Sequence, residues 1–198
     1  MKVGVISLCG KSSVNIIEEG KKYFNETNLL DIRRLEIHAE PDNLKVLYNK
    51  DILNNYECLY VRGSYRYALL QRSITRAFYH NTYMPIKPGA FELGHNKFLT
   101  LLELRRSGIR IPTSYFAATS KVAKTILDDV NYPVIIKIPY GTQGRGVMFA
   151  DSRSSASSML DALEVFKQPY IIQEYIETDA TDIRAVVIGT KVIAMERR

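Results

Sequence analysis

The sequence predicts two architectures in one chain: α/β over residues 1–88, then α+β over residues 89–198. Three observations predict this. Short apolar runs alternate with helical stripes as far as Ile86, the pattern of a small parallel sheet. Lys87-Pro88-Gly89 then punctuates the chain. Beyond it the order is helix, strand, helix, hairpin, helix, strand, hairpin, which no longer repeats a βαβ unit.

The first half opens with a buried strand, Val3 to Leu8. Cys9-Gly10-Lys11-Ser12-Ser13 follows, then a stripe of Val14, Ile16, Ile17, Tyr23 and Phe24, so a helix capped by Ser12 or Ser13 is expected. Gly10-Lys11-Ser12 is not a phosphate loop of the Walker kind. That motif needs four residues between its first glycine and its Gly-Lys pair, whereas five follow Gly4. Ile32 to Ile37 reads as a second strand, Leu59 to Val61 as a third and Met84 to Ile86 as a fourth. Leu69, Leu70, Ile74 and Phe78 mark a helix from Tyr67 to about His80. Arg62, Arg66, Arg72 and Arg76 gather near the C-terminal end of the third strand, where such sheets bind ligands. They suit a carboxylate or phosphate, or else form a solvated basic face.

In the second half, Phe98, Leu101, Leu102 and Leu104 predict one helix from Phe91 to Ser107, ended by Gly108. A strand around Tyr115 and a helix capped by Ser120 come next. Pro133 to Ile138 and Val147 to Phe149 are apolar runs flanking Gly141-Thr142-Gln143-Gly144-Arg145-Gly146, which reads as a hairpin. Glycines at the tip leave backbone N–H groups uncrowded, so the loop can fold over phosphates. Lys137 sits inside the apolar run, a costly place for a cation unless an anion meets it. On these residues alone, an ordinary hairpin with a snorkelling lysine fits as well. Asp151 to Phe166 is a helix, Tyr170 to Ile176 a strand, and Asp182 to Met195 a hairpin turning at Gly189-Thr190.

Composition narrows the function. The chain has 198 residues, 46% hydrophobic and 24% charged, as in ordinary globular proteins. Net charge is +6, with 13 Lys/Arg against 9 Asp/Glu in residues 1–88 and 14 against 12 beyond. The excess is spread rather than gathered in a basic tail, which argues against a nucleic-acid partner and suits small anions. Two distant cysteines and three scattered histidines offer neither a disulfide framework nor a zinc site. No apolar run is long enough to span a membrane, and a cytoplasmic protein is expected.

Read together, Lys97, Lys137, the Gly141–Gly146 loop with Val147, Gln173-Glu174-Tyr175-Ile176, Asp182-Ile183-Arg184 and Val192 to Arg198 resemble the ATP-grasp superfamily. Within it they look like the RimK-like branch, of the ribosomal-protein-modification or glutamate-ligase type. Arg62-Gly63-Ser64-Tyr65-Arg66-Tyr67 is similar to an archaeal subgroup. The resemblance implies a Rossmann-like pre-ATP-grasp domain at 1–88 and an incomplete ATP-grasp domain at 89–198, its lid at about 110–172. It implies a carboxylate–amine ligase working through an acyl phosphate and adding glutamate or a similar amino acid to a protein or coenzyme carboxylate. Its alternatives are a non-catalytic ATP-binding or regulatory module, or an inactive fragment.

The same resemblance implies site residues. Lys97 and Lys137 would meet phosphate oxygens. Gly141, Thr142, Gln143, Gly144 and Gly146 would close over them. Glu174, Tyr175 and Ile176 would present backbone groups to adenine, and Asp182 would face the ribose. Arg62, Arg66 and Arg184 would serve substrate. No nucleophilic residue is needed. The implied partners are ATP, a carboxylate acceptor and an amino-acid donor, with a homo-oligomer left open. Mg2+ or Mn2+ would be held by Asp, Glu and Asn beyond Arg198, so a C-terminally truncated chain with weak ATP binding, no turnover and uncovered apolar surface is expected.

Overall fold

The computed structural model describes residues 1–141 and 146–197. The chain forms two compact units, Met1–Gly108 and Ile109–Arg198. They part at Gly108, beyond the Lys87-Pro88-Gly89 punctuation, because the two helices in between pack with the first unit.

The first unit is built on a parallel sheet in the order β2–β1–β6, from β1 (Lys2–Ser7), β2 (Glu26–Asp31) and β6 (Cys58–Val61). Val5 pairs with Leu29 on one side and Tyr60 on the other. Central β1 is buried along almost its whole length, as its unbroken apolar run requires. Helix α1 (Lys11–Gly20) follows it. Its N-cap is Gly10, without a side-chain hydrogen bond, not Ser12 or Ser13.

The expected second strand at Ile32–Ile37 is corrected. The Asp31 carboxylate accepts from Arg33 N at 3.0 Å and caps a 3-10 turn at Ile32–Arg34, which ends β2. The chain then forms an antiparallel meander of β3 (Leu35–Glu40), β4 (Asn43–Tyr48) and β5 (Asp51–Ile52). Met84–Ile86 is not a strand either; Tyr83 makes a single parallel bridge to Cys58.

Helix α2 (Ala68–Phe78) contacts β4 and β6, and α3 (Ala90–His95) packs on α2. The core joins Ile6, Leu30, Ile32, Leu59, Ile74 and Phe91. Each such apolar side chain, taken fully out of water, contributes roughly 1.5–3 kcal/mol. The helix expected over Phe91–Ser107 is broken. Asn96 ends α3 and caps α4 (Lys97–Arg106), its side chain accepting from Phe98 N at 3.0 Å and Leu99 N at 3.1 Å.

The second unit is an antiparallel sheet in the order β7–β10–β8–β9. Its strands are β7 (Ser114–Ala117), β8 (Val134–Lys137), β9 (Val147–Ala150) and β10 (Tyr170–Glu174). Helices α5 (Ser120–Ile126) and α6 (Arg153–Leu163) cover one face over Ala123, Leu127, Val134, Ile136, Ile172 and Leu160. Thr119, rather than Ser120, caps α5 by accepting from Val122 N at 3.3 Å. Strands β11 (Asp182–Ile188) and β12 (Lys191–Arg197) form a separate hairpin through Gly189-Thr190, exposed along both strands.

Candidate functional site

Strand register decides what Lys137 shares a face with. Val134 and Ile136 alternate inward to the helix-covered core, so Ile135 and Lys137 face the other way. Cross-strand partners lie on the same side. Phe149 opposes Ile135, Val147 opposes Lys137, and β10 presents Ile171 and Gln173 opposite Lys137 and Ile135. Ser114 and Phe116 on β7 continue the row. This second face is apolar yet half open: Phe149 is 49% exposed and Phe116 44%. Tyr175 sets its ring edge-on to Phe149, with centroids 5.1 Å apart and planes at 85°.

Polar groups cross this apolar face as one chain. Lys137 Nζ donates to Gln173 Oε1 at 2.5 Å. Gln173 Nε2 donates to Ser114 Oγ at 2.7 Å, and Ser114 Oγ to the Pro112 carbonyl at 2.8 Å. Gln173 is buried, so satisfying both ends of its carboxamide is what makes it tolerable between apolar strands. The lysine therefore does not simply snorkel. It is held over the sheet by the Gln173 carboxamide. Sequence reading placed Gln173 in a motif but gave its side chain no role; the signal was a polar residue directly after Tyr170-Ile171-Ile172.

Beyond Lys137 the hairpin persists for one more bond, Ile138 N donating to Gly146 O at 3.2 Å. Gly141 has φ +140° and Gly146 φ +73°, so both bends use conformations that side chains rarely adopt. The tip residues named above, Thr142, Gln143, Gly144 and Arg145, lie outside the described residues, as does Arg198.

At the end of β10, Glu174 N donates to Thr113 O at 2.9 Å and Tyr175 N to Pro133 O at 3.3 Å. Two of the three N–H groups in the segment expected to face adenine are thus engaged within the unit. Among the described residues the Ile176 N–H has no backbone partner. Tyr175 OH donates to Glu177 Oε2 at 3.2 Å.

Asp182 opposes Arg197 across the β11–β12 hairpin and is gripped by its fork, Nε to Oδ1 at 2.7 Å and Nη2 to Oδ2 at 2.6 Å. Those bonds, with the nearby charge of Arg184, hold the carboxyl below the usual aspartate range. An acceptor for ribose hydroxyls is thus already half committed. Arg184 lies two residues along β11 and is exposed.

In the first unit, Lys97 is the first residue of α4 and half-buried, and burial pushes its pKa down. The four arginines do not act as a cluster. Arg66 is exposed on the 3-10 turn Tyr65–Tyr67, Arg72 pairs with Glu92 at 2.6 Å, and Arg76 is exposed. Only Arg62 lines the cavity of about 710 Å³ at the C-terminal ends of β1 and β6. Among the described residues, no group of three or more His, Cys, Asp or Glu side chains could hold a metal ion.

Known proteins match this arrangement. The RimK-like ATP-grasp domain matches residues 94–198. The chain belongs to the RimK-like ATP-grasp family. A probable alpha-L-glutamate ligase of Vibrio cholerae is 31% identical over 203 residues, spanning all of this chain and 67% of that protein. A RimK domain ATP-grasp protein of Sphaerobacter thermophilus superposes with a TM-score of 0.73 at 15% identity, covering 97% of this chain and 70% of its own. The ATP-grasp ligase PsnB, complexed with precursor peptide PsnA2 and AMPPNP, superposes with a TM-score of 0.64 at 17% identity, covering 99% and 72%. The family match begins inside the first compact unit, at Gly94, so this RimK-like domain includes Lys97 and the α4 helix.

Proposed function

We propose that this RimK-like protein joins a carboxylate to an amine with ATP as the energy source, through an acyl phosphate. The carboxylate oxygen attacks the γ-phosphorus and ADP leaves with the bridging electrons. The amine then attacks the acyl carbon, inorganic phosphate departs, and the nitrogen loses a proton. Glutamate or a similar amino acid is the amine, on the name of the Vibrio cholerae relative. The acceptor is a carboxylate on a protein or coenzyme.

The observation that carries the reading is Lys137. A cation on an open apolar face, oriented by the buried Gln173, is organised to receive an anion at a fixed place. Phe149 and Tyr175 offer a flat apolar edge beside it, and the Ile176 N–H a donor for a base. Lys97 and the Gly141–Gly146 loop would complete the phosphate contacts. Arg62, Arg66 and Arg184 would serve substrate anions. Closure of the loop would keep water from the acyl phosphate. The free cysteines Cys9 and Cys58 fit a cytoplasmic setting.

ADP release should require a carboxylate and an amine together. ADP formed at the same rate without either would replace ligation with simple hydrolysis and end the proposal. Tight nucleotide binding with no carboxylate-dependent turnover would instead favour a regulatory ATP-binding module.

A further inference from the structure

Helix α2 carries a polar pair in the core that the ligase reading does not use. Gln71 and Thr75 are both at 0% exposure, on the inner side of the helix with Ile74. Neither lines the cavity of about 710 Å³. Among the described residues, four buried side-chain polar atoms have no hydrogen-bond partner, and three of them are Gln71 Nε2, Gln71 Oε1 and Thr75 Oγ1. Their clustering is informative, because orphaned buried polar atoms are rare and costly. Residues four apart stand one above the other on a helix, with Cβ atoms about 5–6 Å apart. A carboxamide and a hydroxyl at that spacing can both reach one small molecule between them.

The far end of the carboxamide is placed as well. A Cβ built on Gly63 would lie 2.6 Å from Gln71 Nε2, so the amide lies against the backbone of this glycine, two residues beyond the end of β6. Among the described residues Gly63 makes no backbone hydrogen bond, so its N–H or carbonyl can supply a third contact.

Three conditions define the occupant. It must donate and accept, since a carboxamide presents both an NH2 and a carbonyl oxygen, and a hydroxyl serves either way. It must be neutral, because the buried polar residues described in this unit, Ser7, Ser13, Gln71, Thr75 and Asn96, carry no formal charge to offset an ion. It must be small, because α2 is packed into one core with Leu59, Ile74 and Phe91.

We propose that Gln71 and Thr75 hold one internal water molecule, which bridges their side chains and ties the inner face of α2 to the chain at Gly63. Buried waters of this kind make about three hydrogen bonds to groups that the protein leaves unmet. The site belongs to the first unit alone and stands whether or not the ligase reading does.

The test has two arms. A crystal structure of the full chain, at a resolution that shows ordered water, should place one oxygen about 2.7–3.2 Å from both the Gln71 carboxamide and Thr75 Oγ1. This arm needs no variant, so it decides the matter even if a substitution unfolds the chain. A direct Gln71–Thr75 hydrogen bond, or no density between the two, would overturn the proposal. The second arm is a double-mutant cycle followed by denaturant titration. Gln71→Met and Thr75→Val should each raise the unfolding equilibrium constant roughly five- to thirtyfold, because each strips the water of a partner. The double variant sheds the water altogether, so its rise should be smaller than the product of the two single effects. Single variants more stable than the parent would mean that the polar atoms are simply unmet, and a double effect equal to the product would mean that they share no partner. Either result would end the assignment.

Discussion

Lys137 and Gln173 are joined across the β8–β10 ladder on the diagonal, ammonium to carboxamide at 2.5 Å, while their backbones pair with Ile171 and Ile135. The side-chain bond ties the lysine to the strand that runs straight into Glu174-Tyr175-Ile176. Lys137→Ala should keep the fold at some cost in stability, since it removes little packing but leaves the buried Gln173 Oε1 without the lysine. It should lower affinity for an ATP analogue by about 1.5–3 kcal/mol, roughly ten- to a hundredfold in Kd. Calorimetry measures this. Unchanged affinity would mean the phosphates lie elsewhere.

Gln173→Leu makes a different prediction. It deprives both Lys137 and Ser114 of a partner inside the sheet, so unfolding free energy should fall by about 1–3 kcal/mol. Gln173→Glu keeps an acceptor for Lys137 but places a carboxylate on the ammonium, so nucleotide affinity should fall even where the fold is held. Denaturant titration and analogue binding, measured on both variants, separate the structural effect from the positional one.

Gly146→Ala should destabilise the second unit. Gly146 has φ +73°, and a Cβ there would lie 2.7 Å from Ile138 Cγ1 and 2.8 Å from Ile138 Cδ1. The left-handed conformation costs an alanine about 1–2 kcal/mol before the contact is counted. A fall in thermal midpoint is expected; an unchanged one would show that the hairpin re-forms with another bend.

Acid should weaken the first unit late. Arg33 donates to both oxygens of Asp31, and this pairing holds the carboxyl at about 2. Because the folded value lies below the ordinary 3.8, the folded state binds fewer protons. The contribution is full above the ordinary range and is lost as pH falls toward 2. Asp31→Asn should flatten stability against pH between about 4 and 2. Denaturation followed across that window checks it; an equal slope in both proteins would refute it.

The hairpin pair behaves as a local titration. Arg197→Ala should raise the Asp182 pKa toward the ordinary aspartate value, because the fork that favours the carboxylate is gone. Carboxyl chemical shifts against pH report this directly. A low pKa retained in the variant would assign the effect to Arg184 instead.

The sheet strands were legible where apolar runs were unbroken, as at Val3–Ile6, Val134–Ile136 and Tyr170–Ile172, and so were the hairpins around Gly146 and Gly189. Local polar chemistry was not. The Asp31 carboxylate stops β2 and hands Leu35 to another sheet, and nothing in the periodicity of Ile32 to Ile37 foretells a cap. Likewise Asn96 interrupts an apolar stripe that reads as one helix. The motif residues of the site were readable as types in order. The Lys137–Gln173–Ser114 chain was not, because it depends on the register of three strands distant in sequence. Nor was the singling out of Arg62, which depends on what the neighbouring arginines touch.

The break at Asn96 also sets an electrical condition on Lys97. A continuous helix would carry this lysine in its middle, where the aligned peptide dipoles have little net field. Capping by Asn96 makes it the first residue of a new helix, at the positive pole, on a side chain already partly withdrawn from water. The helix pole and the partial burial therefore both disfavour its positive charge. A negative group at this end of α4 would offset both effects, so the break at Asn96 fixes the sign of charge that this end of the helix favours.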